Sequence, residues 1–131
     1  MTQAASRAEQ ARTNSAIADA FLDCVFNRRD MACARQLLAA DFRHHEPGVA
    51  PGADGLLAHL AGFLAEHPDL RLEVVRHICD GDFVVVHNRR SEATETSAAI
   101  DVLRMEDDKV AEAWEVFQQV PDVIANPNGM F

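Results

Sequence analysis

Tyrosine is absent from the 131-residue chain, and tryptophan occurs once, as Trp114. The absence excludes any site that relies on a tyrosine hydroxyl to steady a developing oxyanion. Cations are scarce as well: 12 Lys and Arg stand against 21 Asp and Glu, for a net charge of −9. Nucleic acid and anionic membrane both need clustered cations, so neither is an expected partner, and the pairs Arg28–Arg29 and Arg89–Arg90 are too small to reverse that. Cys24, Cys33 and Cys79 are odd in number and form no CxxC, which predicts reduced, buried thiols in a cytoplasmic protein. The opening MTQAASRAEQARTNS has no apolar core of a secretory signal. The most apolar segment, residues 56–65, is too short to span a bilayer. The six histidines show neither HExxH nor other metal-ligand spacing, and GxSxG, P-loop and GxGxxG patterns are missing, so metal, serine-hydrolase and nucleotide readings have no motif support.

What is present is an ordinary globular composition, 48% hydrophobic and 25% charged, of a length that fits one domain over residues 1–131. Residues 1–13 are polar, and a frayed start is expected. Asn14 or Ser15 can cap a helix through Ile17, Phe21, Cys24 and Val25, and Asp30 a second through Met31, Ala34, Leu37 and Leu38. A third begins near Asp54 and stops before Pro68. Beyond Pro68 the period becomes alternating. LRLEVVRHIC and FVVVHNRR flank Asp80-Gly81, a hairpin signal; a third strand covers 96–105 and a fourth 109–118. Helices first and antiparallel strands after them predict an α+β domain.

Strand alternation then sorts side chains by face. A two-residue Asp80-Gly81 loop sets Ile78 opposite Phe83. A symmetric 105–110 turn sets Asp101 opposite Trp114, and a turn centred near Thr94 sets His87 beside Asp101. One face would carry Leu72, Val74, Ile78, Phe83, Val85, Leu103 and Trp114, with Arg76, His87, Asp101, Glu112 and Gln118 among them, like a pocket lining. The other face, with Val84, Val86, Ile100, Val102 and Phe117, is apolar too. The helices cover one face only, so a homodimer burying the second is expected.

The segments FRHHEP (42–47), DGDFVVVH (80–87), IDVLRMEDDKVAEAWEVFQ (100–118) and the tail VPDVIANPNGMF resemble those of SnoaL-like proteins in the nuclear-transport-factor-2-like superfamily, of the polyketide-cyclase or aldol-condensation type. That resemblance implies an NTF2-like, cone-shaped α+β barrel: a curved antiparallel sheet wrapped around a pocket by N-terminal helices, usually dimeric. It implies cofactor-independent chemistry without a metal, with Asp101 as catalytic acid/base and His87 nearby on the preceding strand. His45, Trp114 and Gln118 fall on positions the subfamily fills with these residue types. Two departures stand out: Glu46 where the subfamily often has Asn, and EAWE at 112–115 where it has EHWD.

The expected function is therefore an enzyme of the lyase or isomerase class acting on a small apolar carbonyl compound by aldol-type condensation or isomerisation. Asp101 serves as general base, His87, Gln118 and the Trp114 N–H as oxyanion donors, and His45 and Arg76 as further substrate-binding groups. The structural alternative pairs Asp101 with Arg76 or Arg104, and the functional alternative is a dimeric, non-catalytic ligand-binding protein. An epoxide hydrolase of related fold would need an Asp–Arg–Asp set to activate water; Arg76 and Asp101 are present, but a second acid other than Glu112 is hard to place on that face.

Overall fold

The computed structural model describes residues 2–131. Thr2 caps helix α1, Gln3–Leu22, through a bond from the Ala5 N–H to its hydroxyl. Residues 3–13 are thus helical rather than frayed. They are rich in Ala, Gln, Arg and Glu, which favour helix without any buried face. Asn14, expected as a cap, is instead buried within the helix and accepts from Gln10. The helix runs on through one π turn, Asp23–Asn27, before Arg29 takes a positive φ of 56°. Asp30 caps α2, Met31–Gln36, by accepting from the Cys33 N–H. That reversal lays α2 against the π turn, where Cys24 and Cys33 are joined by a disulfide. Reduced thiols were expected at both; only Cys79 is free among the described residues. Sequence spacing missed the pair because the π turn and the Arg29 bend, not a CxxC, bring the two cysteines together.

Leu38–His44 forms strand β1, although Leu38 was expected to continue α2. Helix α3 follows at Gly52–Glu66, then β2 at Arg71–Asp80, β3 at Phe83–Ser91, β4 at Thr96–Glu106 and β5 at Lys109–Gln119. The sheet order is β1-β5-β4-β3-β2. Its four later strands are antiparallel as expected, and β1 joins in parallel beside β5, making the sheet mixed. Arg29 ties the helical layer to the sheet entry by donating to the carbonyls of Leu64, His67 and Leu70 at 2.6–2.9 Å. Leu22, Val25, Leu64, Val84, Val86 and Leu103 are fully buried between α1, α3 and the concave face.

The register differs from the sequence expectation at each hairpin. Gly81-Asp82 forms the first turn, so Ile78 faces Val85 and Arg76 faces His87, with a bulge between Val74 and Arg76. β3 and β4 pair Val86 with Asp101 and His87 with Ile100, one residue away from the expected partner. Asp107 and Asp108, both at positive φ, turn β4 into β5, and a bulge beyond Arg104 sets Asp101 opposite Glu115 and Val102 opposite Trp114. A one-residue slip exchanges faces. Two kinds of row therefore cross the sheet. His77, Val86, Asp101 and Glu115 point to the helices, while Ile78, Val85, Val102 and Trp114 point away.

Beyond β5 the tail returns over this outer face. His87 Nε2 donates to the Met130 carbonyl at 3.0 Å, and the Phe131 ring stacks on His87 and lies 4.1 Å from the Arg89 guanidinium. Phe131→Ala is expected to lower stability by about 1 kcal/mol, the scale of one aromatic pair and one exposed cation–π contact. Urea unfolding of the two proteins measures it.

Candidate functional site

Between the concave face and the helices lies a cavity of about 180 Å3, walled mainly by Phe21, Phe26, Leu56, Leu60, Phe63 and Leu103. Its polar lining comes from Arg90, Asp101 and Glu115 on the sheet, and from His44, Glu46 and His59 on β1, the following loop and α3. Asp101 and Arg90 are 6% and 9% exposed, so the sheet group is essentially desolvated.

The alternation of β3 explains the assembly. Val84, Val86, Asn88 and Arg90 share the inner face, and Arg90 reaches back along it. Its Nη2 donates to Asp101 Oδ2 at 2.9 Å and to Glu115 Oε2 at 2.7 Å, and its Nε to Asn88 Oδ1 at 3.1 Å. Asn88 Nδ2 donates to the same Asp101 oxygen at 2.8 Å. The Phe26 ring supports the guanidinium from the helical side at 4.4 Å. Two acids directly opposite on neighbouring strands repel, and Arg90 is what permits the pair.

Burial raises the Asp101 pKa to about 7; the Arg90 charge opposes the rise, and the neighbouring Glu115 reinforces it. Burial acts on Glu115 in the same sense, but there the Arg90 charge and hydrogen bond outweigh it and hold Glu115 below its ordinary value. Below about 7 the pair thus carries one proton, held mostly on Asp101, and above it both acids are ionised. Glu46 is raised, first by burial and then by the Glu115 charge, against His44, Arg90 and His59.

Of the residues singled out from sequence, Asp101 alone sits at the centre of this group. His87 does not lie beside it: it faces outward, 2.5 Å from Arg76 Nη1 through Nδ1, because Ile100 rather than Asp101 is its register partner. Arg76 therefore reaches neither Asp101 nor Glu112. Gln118 pairs with Ala98 and is exposed. Trp114 borders the cavity, yet its indole stacks on His45 with ring centroids 4.8 Å apart. His45 in turn meets Glu112 at 2.6 Å, and Glu112 also accepts from Arg43 and Arg104. That hydrogen bond from His45 is the main cause of a lowered Glu112 pKa. Asn88, Arg90, Glu115, Glu46 and His59 were missed. The signal available for the first two was the run Val84-x-Val86-x-Asn88-x-Arg90, an inner-face alternation ending in two polar residues.

Among the described residues, no group of three or more His, Cys, Asp and Glu is placed to hold a metal ion, and no helix is long and apolar enough to cross a membrane. Residues 18–113 match the family model of the SnoaL-like domain. The chain belongs to the SnoaL-like family. No curated protein matches it in sequence. Solved structures place its fold with SnoaL-like and NTF2-like proteins. A candidate polyketide cyclase from Bacillus cereus ATCC 10987 is 21% identical, with a TM-score of 0.75, 83% of this chain and 76% of that one being covered. A candidate ketosteroid isomerase from Kribbella flavida DSM 17836 is 23% identical, with a TM-score of 0.70 and coverages of 91% and 85%. A candidate hydroxylase from Streptomyces galilaeus is 20% identical, with a TM-score of 0.70 and coverages of 82% and 90%. Three different chemistries on one fold leave the reaction of this SnoaL-like chain to its own cavity.

Proposed function

We propose that the protein is a cofactor-independent enzyme in which Asp101 moves a proton on a small, largely apolar carbonyl compound. The observation that carries this reading is a buried acid with a pKa of about 7 in the wall of an apolar cavity, fixed by Arg90 and Asn88. A base poised near neutrality both takes and returns protons efficiently. The ionised Asp101 removes a proton from the carbon next to the carbonyl: the C–H bond breaks, an O–H forms on Asp101, and the electron pair moves onto the carbonyl oxygen. Arg90 and the neutral form of Asp101 then face the enolate. Return of the proton to a different carbon completes an isomerisation. Attack of the enolate carbon on a second carbonyl, whose oxygen takes the proton, completes an aldol-type ring closure. The names of the cyclase and isomerase relatives agree with this class.

The Arg90-bridged pair of acids favours a second reading, in which the ionised Glu115 takes a proton from water, the water oxygen bonds to a carbon of a strained ether ring, that carbon's ring C–O bond breaks, and Asp101 gives its proton to the released oxygen. One experiment separates the readings. Incubating a simple ketone in D2O and following its α-protons by NMR is expected to show exchange with the wild type and none with Asp101→Asn. Opening of styrene oxide without ketone exchange would favour the water reading, and ligand binding with neither reaction would leave a non-catalytic binding protein.

We propose also that a second copy covers the outer face, where Ile78, Phe83 and Val116 are 60%, 40% and 69% exposed beside Trp114 and Val102. Light scattering on the eluting protein is expected to give a dimer mass, and Val116→Glu a monomer; a wild-type monomer mass at micromolar concentration would refute the dimer.

A further inference from the structure

Arg90 brings more donors to the site than the acids consume. Its Nε and Nη2 are engaged by Asn88, Asp101 and Glu115, whereas Nη1 makes no hydrogen bond among the described residues. Nor is Nη1 sealed away, since among the described residues the one fully buried side-chain nitrogen or oxygen without a partner is Arg29 Nε. Arg90 is nine-tenths buried and is among the residues that line the cavity. A second polar group on the same lining, Glu46, is only half-buried. The Glu46 backbone N–H donates to His44 Nδ1, but its carboxylate has no partner among the described residues while it lines the same cavity. The two lie near enough that Arg90 and Glu115 both act on the Glu46 charge.

We infer that the cavity reads its substrate at two points, with Arg90 Nη1 donating to a carbonyl oxygen and the Glu46 carboxylate accepting from a hydroxyl at the other end of a cyclic body. The substrate class is thus a neutral hydroxylated ketone, a phenolic ketone being the simplest member. Phe21, Phe26, Phe63 and Phe117 supply ring faces for its body. A carboxylate ligand fits poorly, because the single guanidinium is already matched by Asp101 and Glu115 and Glu46 adds a third acid. The inference rests on the proton-transfer reading for the identity of the oxygen that Arg90 receives; the recognition can be measured without turnover.

The test is calorimetric titration of the full chain at pH 7, where the phenol is mostly un-ionised, with acetophenone, 4-hydroxyacetophenone and 4-hydroxybenzoate. The hydroxyl is expected to tighten binding about tenfold over acetophenone, the scale of one hydrogen bond to a charged group. Glu46→Ala should erase that gain while leaving acetophenone affinity within about twofold, and 4-hydroxybenzoate should bind at least about tenfold more weakly than the hydroxyketone. Equal affinity for the two ketones, a gain that survives in Glu46→Ala, tighter binding of the carboxylate, or no binding of either ketone at millimolar concentration would each overturn it. Asp101→Asn keeps the two claims apart. Loss of exchange with the preference retained supports both, exchange that persists in the variant sinks the proton-transfer reading alone, and Asp101-dependent exchange without the preference sinks the recognition alone.

Discussion

Asp101→Asn is expected to lower turnover by about 10²–10⁴-fold while leaving ketone affinity within a few-fold, the usual contribution of a positioned acid/base. The asparagine keeps the shape and can still accept from Asn88 and Arg90, so what is removed is the proton-carrying oxygen. In the wild type, kcat/KM is expected to rise with pH and level off above about 7, where Asp101 is ionised. The same acid makes a stability prediction. A carboxyl whose folded pKa stands above its unfolded one holds extra protons in the folded state between the two, so stability falls as pH climbs through that window. For Asp101 the window runs from 3.8 to about 7. Glu115, held low by Arg90, works in the other sense: its contribution is present above the unfolded value of 4.5 and is lost as pH falls through the folded one. Asp101→Asn should flatten the decline between pH 5 and 7 and, at pH 8, outlast the wild type by roughly 2 kcal/mol, less than the full shift would give because the paired acid offsets part of it. Denaturant midpoints across that pH range, read beside turnover, check both. A variant that is both slower and less stable at pH 8 would argue for a structural role instead.

Arg90→Met is the second large effect. It removes the only cation that, among the described residues, bridges the buried Asp101 and the half-buried Glu115, and breaking such a group from one side costs about 3–5 kcal/mol. The loss should be greatest at pH 8 and shrink below pH 5, where the acids take up protons instead of remaining as unpaired charges. Neutralising the remainder is the informative control: Arg90→Met combined with Asp101→Asn and Glu115→Gln is expected to recover most of the lost stability, because an apolar cavity wall tolerates neutral groups. Recovery would also separate the collapse of the single variant from any catalytic effect. Thermal melts of the three proteins at pH 5 and pH 8 carry the comparison. If Arg90→Met melted as the wild type does at both values, Arg90 would not be holding the acids.

Much of the architecture was legible because periodicity survives in a single sequence. The switch from helical to alternating spacing at Pro68 marks the start of the sheet, and the four antiparallel strands follow in the expected places. Strand β1 was not legible. Its run of Leu38, Ala39 and Ala40 carries no alternation, and its partner β5 lies far along the chain, so only tertiary pairing makes it a strand. The site was legible in part. Asp101 stood out as an acid inside an apolar run, and it does line the cavity. Its neighbours depended on register, which turned on the bulges at Val74–Arg76 and Arg104–Met105 and on a loop between β3 and β4 centred half a residue from Thr94. Each displaces pairing by one, and one is enough to exchange His87 for Asn88 and Trp114 for Glu115. Glu46 and Glu115, noticeable only as departures from a family pattern, both prove to line the cavity.

The strict in-and-out order of β4 has a consequence for how such a molecule changes over generations. Asp101 and Leu103 face the cavity, while Ile100 and Val102 face the opposite way. Letters that line the cavity and letters that form the outer face are interleaved along one short stretch but meet different neighbours. Drift in one set need not disturb the other, so the cavity and the outer surface can change separately on the same eleven residues.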